Sequence, residues 1–197
     1  DVYKRQALAV DPALLAKVLG KSGEGFLLDP AVVARVVDAA QWRTEGRRAG
    51  TVEQAVDMLR ALGPLTPEAI SERVEPQVSL EAVRELVPRR LAEVSFGGAR
   101  KLCVVEDIPL LRDGLGVPVP PGAGADPAVV HDALDQLVLR WMRHRGPTEA
   151  TQVAAEFGMG VATAESLLKR WVGDRRLDAG MFVEAEVASN QENGILE

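Results

Sequence analysis

The sequence predicts a mainly α-helical fold with small β-hairpins, and three observations lead to this prediction. Hydrophobic residues make up 47% of the 197-residue chain, whereas aromatic residues make up only 4%. Cores built from small aliphatic side chains suit helices better than β-sandwiches. Apolar residues recur at helical spacing. The pairs Gly63-Pro64 and Gly146-Pro147, which lie 83 residues apart, each separate a longer apolar helix from a shorter one.

Residues 1–50 are predicted to be an N-terminal helical segment. Asp11-Pro12 and Asp29-Pro30 each place a capping Asp before a Pro, whose missing N–H costs nothing in a first helical turn. After Asp29 the apolar spacing predicts a helix that runs to about Arg43. The chain has no initiator Met, so we expect it to be a piece of a longer protein.

Residues 51–107 are predicted to form a first helix-turn-helix unit with a hairpin. An apolar helix that Thr51 can cap stops at Gly63-Pro64. Two shorter helices follow, with Thr66 and Ser79 as their N-caps. Alternating apolar residues around a Gly-Gly turn then predict a β-hairpin. Three helices followed by a hairpin, called the wing, form a winged helix.

The same order recurs in residues 127–185, the predicted second winged-helix unit. Asp126-Pro127 predicts the start of a helix that runs to about His144. A short helix, a longer third helix and a hairpin around Gly180 follow. Residues 108–126 are predicted to be a helix and a Pro/Gly linker, and residues 186–197 a tail. We therefore predict tandem winged-helix units after an N-terminal helical segment.

The repeat also predicts that the two Gly-Pro corners are equivalent. Matched apolar positions support this, and they pair the residues Leu59, Ile70 and Val74 with Met142, Val153 and Phe157. We expect each corner to be followed by two helices and a hairpin.

The third helix of a helix-turn-helix can lie in the major groove of DNA, so its outer face must offer donors. The second unit offers such donors, and its predicted DNA-binding residues are Thr163, Ser166, Lys169, Arg170, Arg175 and Arg176. The comparable face of the first unit carries Glu85, whose charge repels phosphate. Residues 51–107 hold 7 Lys/Arg and 10 Asp/Glu, whereas residues 131–182 hold 7 of each. We expect DNA contact by the second unit, while the first mainly packs; alternatively, both units only pack.

Several function classes are not expected for this chain. Its net charge of −6 is unlike that of a nucleic-acid coat protein. A single cysteine, Cys103, excludes an internal disulfide and a Cys-rich zinc site. Gly20-Lys21-Ser22 lacks the first glycine of a phosphate loop. No catalytic residue, bound cofactor or metal is expected, and we expect no ATP hydrolysis by this chain alone. Without a signal peptide or an 18-residue apolar run, we expect a cytoplasmic protein with no membrane contact.

The segment "VVEDIPLLRDGLGVPVPPG", residues 104–122, resembles the large helicase-related (Lhr-type) superfamily-2 DNA helicases. The matching positions are Glu106-Asp107, Arg112-Asp113, Leu115-Gly116-Val117 and Pro120-Pro121-Gly122. The segments "GEGFLLDPAVVARVVDAAQW" and "LDQLVLRWMRHRGPTEATQVAAEFGMG" are also similar to the family. The family usually has Gly-Pro-Phe-Thr where this chain has Gly-Pro followed by Thr148 and Glu149.

The resemblance implies a place beyond the ATPase core of an ATP-dependent DNA helicase that acts in DNA repair. ATP and Mg²⁺ would then belong to that core, and the partners would be DNA and the helicase core of the same polypeptide. We predict a non-catalytic fragment that binds or positions DNA. One alternative is a protein-interaction scaffold that packs helicase modules, which the acidic charge favours. The other is an accessory part of a crosslink-repair DNA glycosylase-like protein, although the catalytic Gln-x-Gln or Gln-x-Asp motif is not found here.

Overall fold

Helices surround one β-hairpin in the computed structural model, which describes residues 29–124 and 126–179. The helices are α1 (Pro30–Ala40), α2 (Val52–Leu62), α3 (Pro67–Ser71), α4 (Leu80–Arg84), α5 (Ile108–Leu115), α6 (Ala133–Arg143), α7 (Ala150–Phe157) and α8 (Val161–Gly173). Strands β1 (Leu91–Phe96) and β2 (Ala99–Val104) lie between α4 and α5. Residues 30–178 form one compact unit. The predicted fold class, mainly α with a small hairpin, is confirmed.

The helices of the first unit begin at the predicted caps. The Thr51 hydroxyl accepts a hydrogen bond from the backbone N–H of Gln54 at 3.2 Å, and the Gln54 side chain accepts one from Gly50. Thr66 and Ser79 cap α3 and α4 in the same way. These local bonds satisfy N–H groups that a first helical turn leaves unpaired.

The two Gly-Pro pairs both follow the end of a helix, as predicted. Gly63 caps α2 with φ of +88°, a backbone conformation that favours glycine. At the second corner α6 ends at Arg143, three residues before Gly146. The apolar residues after each pair are buried, with Ile70 and Val153 both 0% exposed.

The hairpin forms at the predicted turn. Its strands pair antiparallel from Leu91 opposite Val104 to Phe96 opposite Ala99, which leaves a two-residue Gly97-Gly98 turn. Both turn residues have positive φ, +59° and +73°. A two-residue hairpin turn of this kind needs positive φ at both positions, which explains the two glycines.

The hairpin lies between two hydrophobic cores. Leu91, Leu102 and Val104 on one face belong to the core of α2, α3 and α4. Ala92 and Cys103 on the other face belong to a second core formed mainly by α5, α6, α7 and α8. Because successive side chains of a strand point to opposite faces, one small hairpin completes both cores. The wing of the first unit is therefore an internal element of the fold.

The hairpin tip packs on the C-terminal end of α7. A Cβ atom built on Gly97 would lie 2.3 Å from the carbonyl oxygen of Glu156, so only glycine fits there. Lys101, which is 5% exposed, donates to the same carbonyl at 3.2 Å and pairs with the Glu156 carboxylate. The rings of Phe96 and Phe157 stack with centroids 6.3 Å apart. These contacts fix the first unit to the second.

The predicted start of the α6 helix at Pro127 is wrong, because α6 begins at Ala133. The Asp126 carboxylate accepts from the N–H of Ala128 at 2.8 Å, which caps a turn. Arg112 of α5 donates to the carbonyls of Asp126 and Ala128, both at 2.9 Å. A side chain of α5 thus satisfies polar backbone groups of the segment before α6. Helix α6 begins only after this segment ends.

One further sequence prediction differs from the structure, and three lie outside the described residues. Helix α1 ends at Ala40, three residues before the predicted end, and Trp42 follows with φ of +61°. The hairpin around Gly180, the Asp11-Pro12 helix and the tail lie outside the described residues. Of the described helices, none combines the length and apolar character that crossing a membrane requires.

Replacing Gly97 with Ala should destabilise the protein more than replacing Gly98 with Ala. Both glycines have positive φ, so each substitution carries a backbone cost of about 1 kcal/mol. Only Gly97 approaches a neighbouring backbone, since a Cβ on Gly98 meets nothing within 4 Å. We expect Gly97→Ala to cost a further 1–3 kcal/mol or so, measured by urea unfolding. Equal losses for the two variants would show that the tip does not pack on α7.

Candidate nucleic-acid interface

The outer face of α8 is exposed along its length. All six predicted DNA-binding residues lie on the surface: Thr163, Ser166, Lys169, Arg170, Arg175 and Arg176. The opposite face of the helix buries Ala164, Leu167 and Trp171 in the second core. This division follows from helical periodicity, which places residues three or four apart on one face.

Asp135 of α6 gathers several donors of this interface. Its carboxylate accepts from Arg170 at 2.6 and 2.8 Å, and from the Trp171 indole N–H at 2.9 Å. Arg176 also donates to it, at 3.4 Å. The Asp135 side chain is 15% exposed, whereas that of Arg170 is 54% exposed. Asp135 therefore orients two predicted DNA-binding guanidinium groups and also neutralises part of their charge.

The remaining residues of the interface have weaker internal contacts. Lys169 pairs with Glu165 one turn earlier at 3.3 Å, and its side chain is 77% exposed. Exposed pairs of this kind contribute little to stability. The Ser166 hydroxyl donates to the carbonyl of Ala162 at 2.8 Å. The side chains of Thr163 and Arg175 have no polar partner among the described residues.

The first unit presents a much smaller third helix. Helix α4 has five residues and ends at Arg84. At about 1.5 Å per residue, a helix of this length is too short to follow a groove. Glu85 caps its C-terminal end and is exposed. The wing of this unit, moreover, is packed on α7.

A buried ion pair joins the two units. Arg140 of α6 donates to both carboxylate oxygens of Asp107 at 2.7 and 2.9 Å. Asp107 lies in the 3₁₀ turn before α5 and is 3% exposed. Burial raises the pKa of Asp107, while the hydrogen bonds and charge of Arg140 act in the opposite direction. Arg140 is therefore needed to keep this buried carboxylate ionised.

Arg112 and Asp113 hold the segment that enters α6. Their side chains pair at 2.6 and 2.8 Å. The Asp113 carboxylate also accepts from the N–H of Val130 at 2.8 Å. The hydrogen bonds from Arg112, followed by this bond from Val130, lower the pKa of Asp113 to about 2. The next residue, Gly114, lies so close to α6 that a Cβ would be 2.8 Å from the nitrogen of Leu134.

The described residues contain neither a metal-binding cluster nor a reactive thiol. Within residues 29–124 and 126–179, no group of three or more His, Cys, Asp or Glu could hold a metal ion. Cys103 is buried in the second core, and burial raises the pKa of its thiol to about 12. A thiol with such a pKa stays protonated at neutral pH and is a poor nucleophile.

A family model described as "Large helicase-related protein, winged-helix domain" matches residues 26–131, more than half of the chain. The chain belongs to the large helicase-related protein family. It is 40% identical over 192 residues to "Lhr helicase/ probable uracil glycosylase" of Mycolicibacterium smegmatis, a match that covers 94% of this chain and 12% of that protein. It is 33% identical over 174 residues to "Lhr helicase/uracil glycosylase" of Escherichia coli, covering 85% of this chain and 11% of that protein.

The resemblance to the large helicase-related family in the sequence is confirmed, and the chain spans about a tenth of each of these relatives. The matched winged-helix domain runs from before α1 to the segment that precedes α6. The motif residues Asp107, Arg112 and Asp113 lie within it. In the structure these motif residues join the two units.

Sequence reasoning found the exposed face of α8 but missed the acidic partners that organise it. Asp135 lies 35 residues before Arg170, and no local pattern connects the two. Arg140, which forms the buried pair with Asp107, also lies 33 residues from its partner in the sequence. Predicting a bidentate pair requires the tertiary structure, which the spacing of residues within one helix does not reveal.

Replacing Arg140 with Met should destabilise the protein by about 3–5 kcal/mol at pH 7, because Asp107 would remain buried without its partner. The measurement is urea unfolding. The control is the double variant Asp107→Asn/Arg140→Met, which should recover part of the loss.

The pH dependence gives a second test of the same pair. Losing Arg140 raises the pKa of Asp107 further, so the folded variant binds a proton more readily than the unfolded chain. The single variant should therefore regain stability relative to the wild type as the pH falls from 7 toward 4. Exposed ion pairs contribute at most about 1 kcal/mol to the free energy of unfolding. If Arg140→Met loses less than this at pH 7, the Asp107–Arg140 pair has no structural role.

Proposed function

We propose that this chain is a non-catalytic DNA-positioning module of an ATP-dependent DNA helicase that acts in DNA repair. The single observation that carries the proposal is the exposed, cation-bearing face of α8, whose opposite face is fixed in the second core. ATP and Mg²⁺ would be used by the helicase core of the same polypeptide, which would be the second partner besides DNA. Such a protein would act in the cytoplasm.

The ion pairs on α8 are compatible with phosphate binding. Arg170 is more than half exposed, so its pair with Asp135 is accessible to solvent and to a competing anion. A phosphate oxygen can replace the carboxylate, because the planar guanidinium binds both groups in the same bidentate manner. Lys169 and Arg175 would add phosphate contacts at smaller cost, since their side chains are exposed.

The contacts between the two units support the proposal that the module positions DNA. The Asp107–Arg140 pair and the Lys101–Glu156 contact hold α6 and α7 against the first unit. A duplex bound along α8 would then have a fixed orientation relative to the first unit. Sequence discrimination would be weak, because Thr163 and Ser166 offer only short hydroxyls and Ser166 already donates to its own helix.

A protein-interaction scaffold is the second candidate function, and one observation favours it. Helix α1 has no buried residue, and its Val32 and Val36 side chains are 42% and 62% exposed. Exposed apolar side chains on one helix are typical of surfaces that pack on another protein module. Under this alternative, Lys169 and Arg170 would pair with acidic residues of a neighbouring helicase module.

An accessory role for a DNA glycosylase is the third candidate. Both relatives carry the words uracil glycosylase in their names. If a glycosylase activity resides elsewhere in the polypeptide, the same DNA-positioning surface would serve it. This candidate predicts the same contacts on α8 as the helicase module does.

Replacing Lys169 and Arg170 together with Ala should weaken DNA binding and flatten its salt dependence. Each lost phosphate contact reduces the slope of log affinity against log salt by about 0.9, so we expect a change of at most about two units. The measurement is a titration with duplex and single-stranded DNA at several salt concentrations. The control, Glu85→Ala, should leave affinity nearly unchanged. An unchanged slope in the double variant, with weaker association with the helicase core, would support the scaffold instead.

Replacing Asp135 with Asn should increase DNA affinity and steepen the salt slope by about one unit, since one more net positive charge faces the phosphates. The neutral amide keeps an oxygen that can accept from the Trp171 indole, which limits the structural change. Affinity should be measured on protein shown to be folded by circular dichroism. A fall in affinity would mean that Asp135 has a net favourable effect on DNA binding. Its orientation of Arg170 would then outweigh the repulsion between its negative charge and the phosphates.

A further inference from the structure

Three arginines lie close together where the two units meet, and none of them belongs to α8. Arg43 follows α1, Arg73 follows α3, and Arg145 follows α6; we call them the arginine cluster. The Gln41 side chain connects their elements. Its carbonyl accepts from Arg73 at 2.9 Å, and its amide donates to the backbone carbonyl of His144 at 2.7 Å.

The charges of the arginine cluster are close enough to act on one another. Burial, together with the positive charges of Arg43 and Arg145, lowers the pKa of Arg73 to about 10. Burial and the charge of Arg43 also lower the pKa of Arg145. Because the guanidinium group is a cation in proteins, the fold concentrates like charges at this point.

Each arginine of the cluster keeps a donor without an acceptor. The Nε–H groups of Arg43, Arg73 and Arg145 are buried, and none has a hydrogen-bond partner among the described residues. The indole N–H of Trp141 is also buried and unpaired, and the Arg145 guanidinium lies 4.0 Å from the centre of that ring. Buried donors are normally satisfied, so four unpaired donors around one cluster indicate a site that favours an anion.

The acidic residues around the cluster do not balance it fully. Glu72 lies 3.3 Å from Arg73 and 3.8 Å from Arg43, and its side chain is 61% exposed. Arg43 also lies 3.7 Å from Asp38, and Arg145 lies 4.0 Å from Glu156, which already pairs with Lys101. Four cations thus meet three carboxylates, and most of these pairs are longer than a good hydrogen bond.

We propose that the arginine cluster binds a phosphate group at the junction of the two units. The exposed Glu72 carboxylate occupies the place that a phosphate oxygen takes, and it moves into solvent when phosphate binds. Arginine suits this role because its planar fork matches the geometry of phosphate oxygens. The phosphate comes either from the backbone of a nucleic acid or from a free anion. Because the cluster draws on both units, the bound group also braces their junction.

The first test is thermal unfolding of the 197-residue chain in inorganic phosphate and in sodium chloride at matched ionic strength. Phosphate should raise the Tm of the wild type above its value in chloride, and the increase should grow with phosphate concentration. Arg43→Gln should weaken the apparent phosphate affinity by about tenfold or more, since it removes a charge-assisted donor. Glu72→Gln should strengthen it, because the competing carboxylate is gone.

Arg100→Gln is the matched control for these variants. Arg100 is an exposed arginine of β2 that lies outside the cluster, so its loss removes the same charge from a different place. It should leave the phosphate-dependent rise in Tm unchanged. Arg43 and Glu72 have partly exposed side chains, so their substitution does not disturb either core.

The second test distinguishes the two sources of phosphate by titrating the same variants with short duplex and single-stranded DNA. If Arg43→Gln weakens the binding of both inorganic phosphate and DNA, the site contacts the nucleic-acid backbone. If it weakens inorganic phosphate alone, the site takes a free anion. The variant Lys169→Ala/Arg170→Ala, measured in parallel, reports on α8 alone, so failure of the proposed α8 interface would leave the phosphate result standing.

Three results would overturn the proposal. The first is that phosphate stabilises the wild type no more than chloride does. The second is that Arg43→Gln, Glu72→Gln and Arg100→Gln all respond to phosphate as the wild type does. The third is that Arg43→Gln weakens DNA binding although no variant shows phosphate-dependent stabilisation, because a site for a single phosphate group must respond to the free anion.

Discussion

The rest of the structure depends on one hairpin whose two faces enter different cores. Leu91 and Leu102 complete the core of the first unit, and Ala92 and Cys103 complete that of the second. Neither group of short helices has enough apolar surface of its own to form a large core, so the shared strands are what make both stable. The position of α8 relative to the first unit follows from this shared element.

Two arginine–aspartate pairs, Arg140–Asp107 and Arg170–Asp135, have the same chemistry but different consequences. Arg140 and Asp107 are largely buried, so each needs the other to offset its lost hydration. Arg170 and Asp135 lie at the surface, where water and other anions compete for the guanidinium. Burial therefore decides which pair fixes the fold and which can exchange its partner.

Sequence patterns predicted the features that neighbouring residues determine. Thr66 and Ser79 cap helices through bonds that span three residues, and Gly97-Gly98 makes a turn that needs only its own backbone angles. The exposed face of α8 also followed from helical spacing. Such features are set by interactions of short range along the chain.

The features that sequence patterns missed depend on residues far apart in the chain. Asp126-Pro127 has the sequence pattern of a helix start. However, Arg112, 14 residues earlier, donates a hydrogen bond to the backbone carbonyl of Asp126. The sharing of the hairpin between cores was equally hidden, because alternation shows that a strand has two faces but not what covers them. For the candidate interface, periodicity located the cations, whereas their acidic partner Asp135 required the tertiary structure.

The Pro/Gly-rich stretch after α5 has a mechanical consequence. The sequence predicts a Pro/Gly linker here, but Val117 and Ala123 are each only 6% exposed and belong to the second core. Gly122 lies against Pro88. A Cβ atom built on Gly122 would lie only 3.2 Å from the ring of Pro88. A pull on residues 117–123 therefore acts directly on packed side chains, because this part of the stretch has no loose chain to extend first. The stretch therefore works as a strut that passes displacement from one unit to the next.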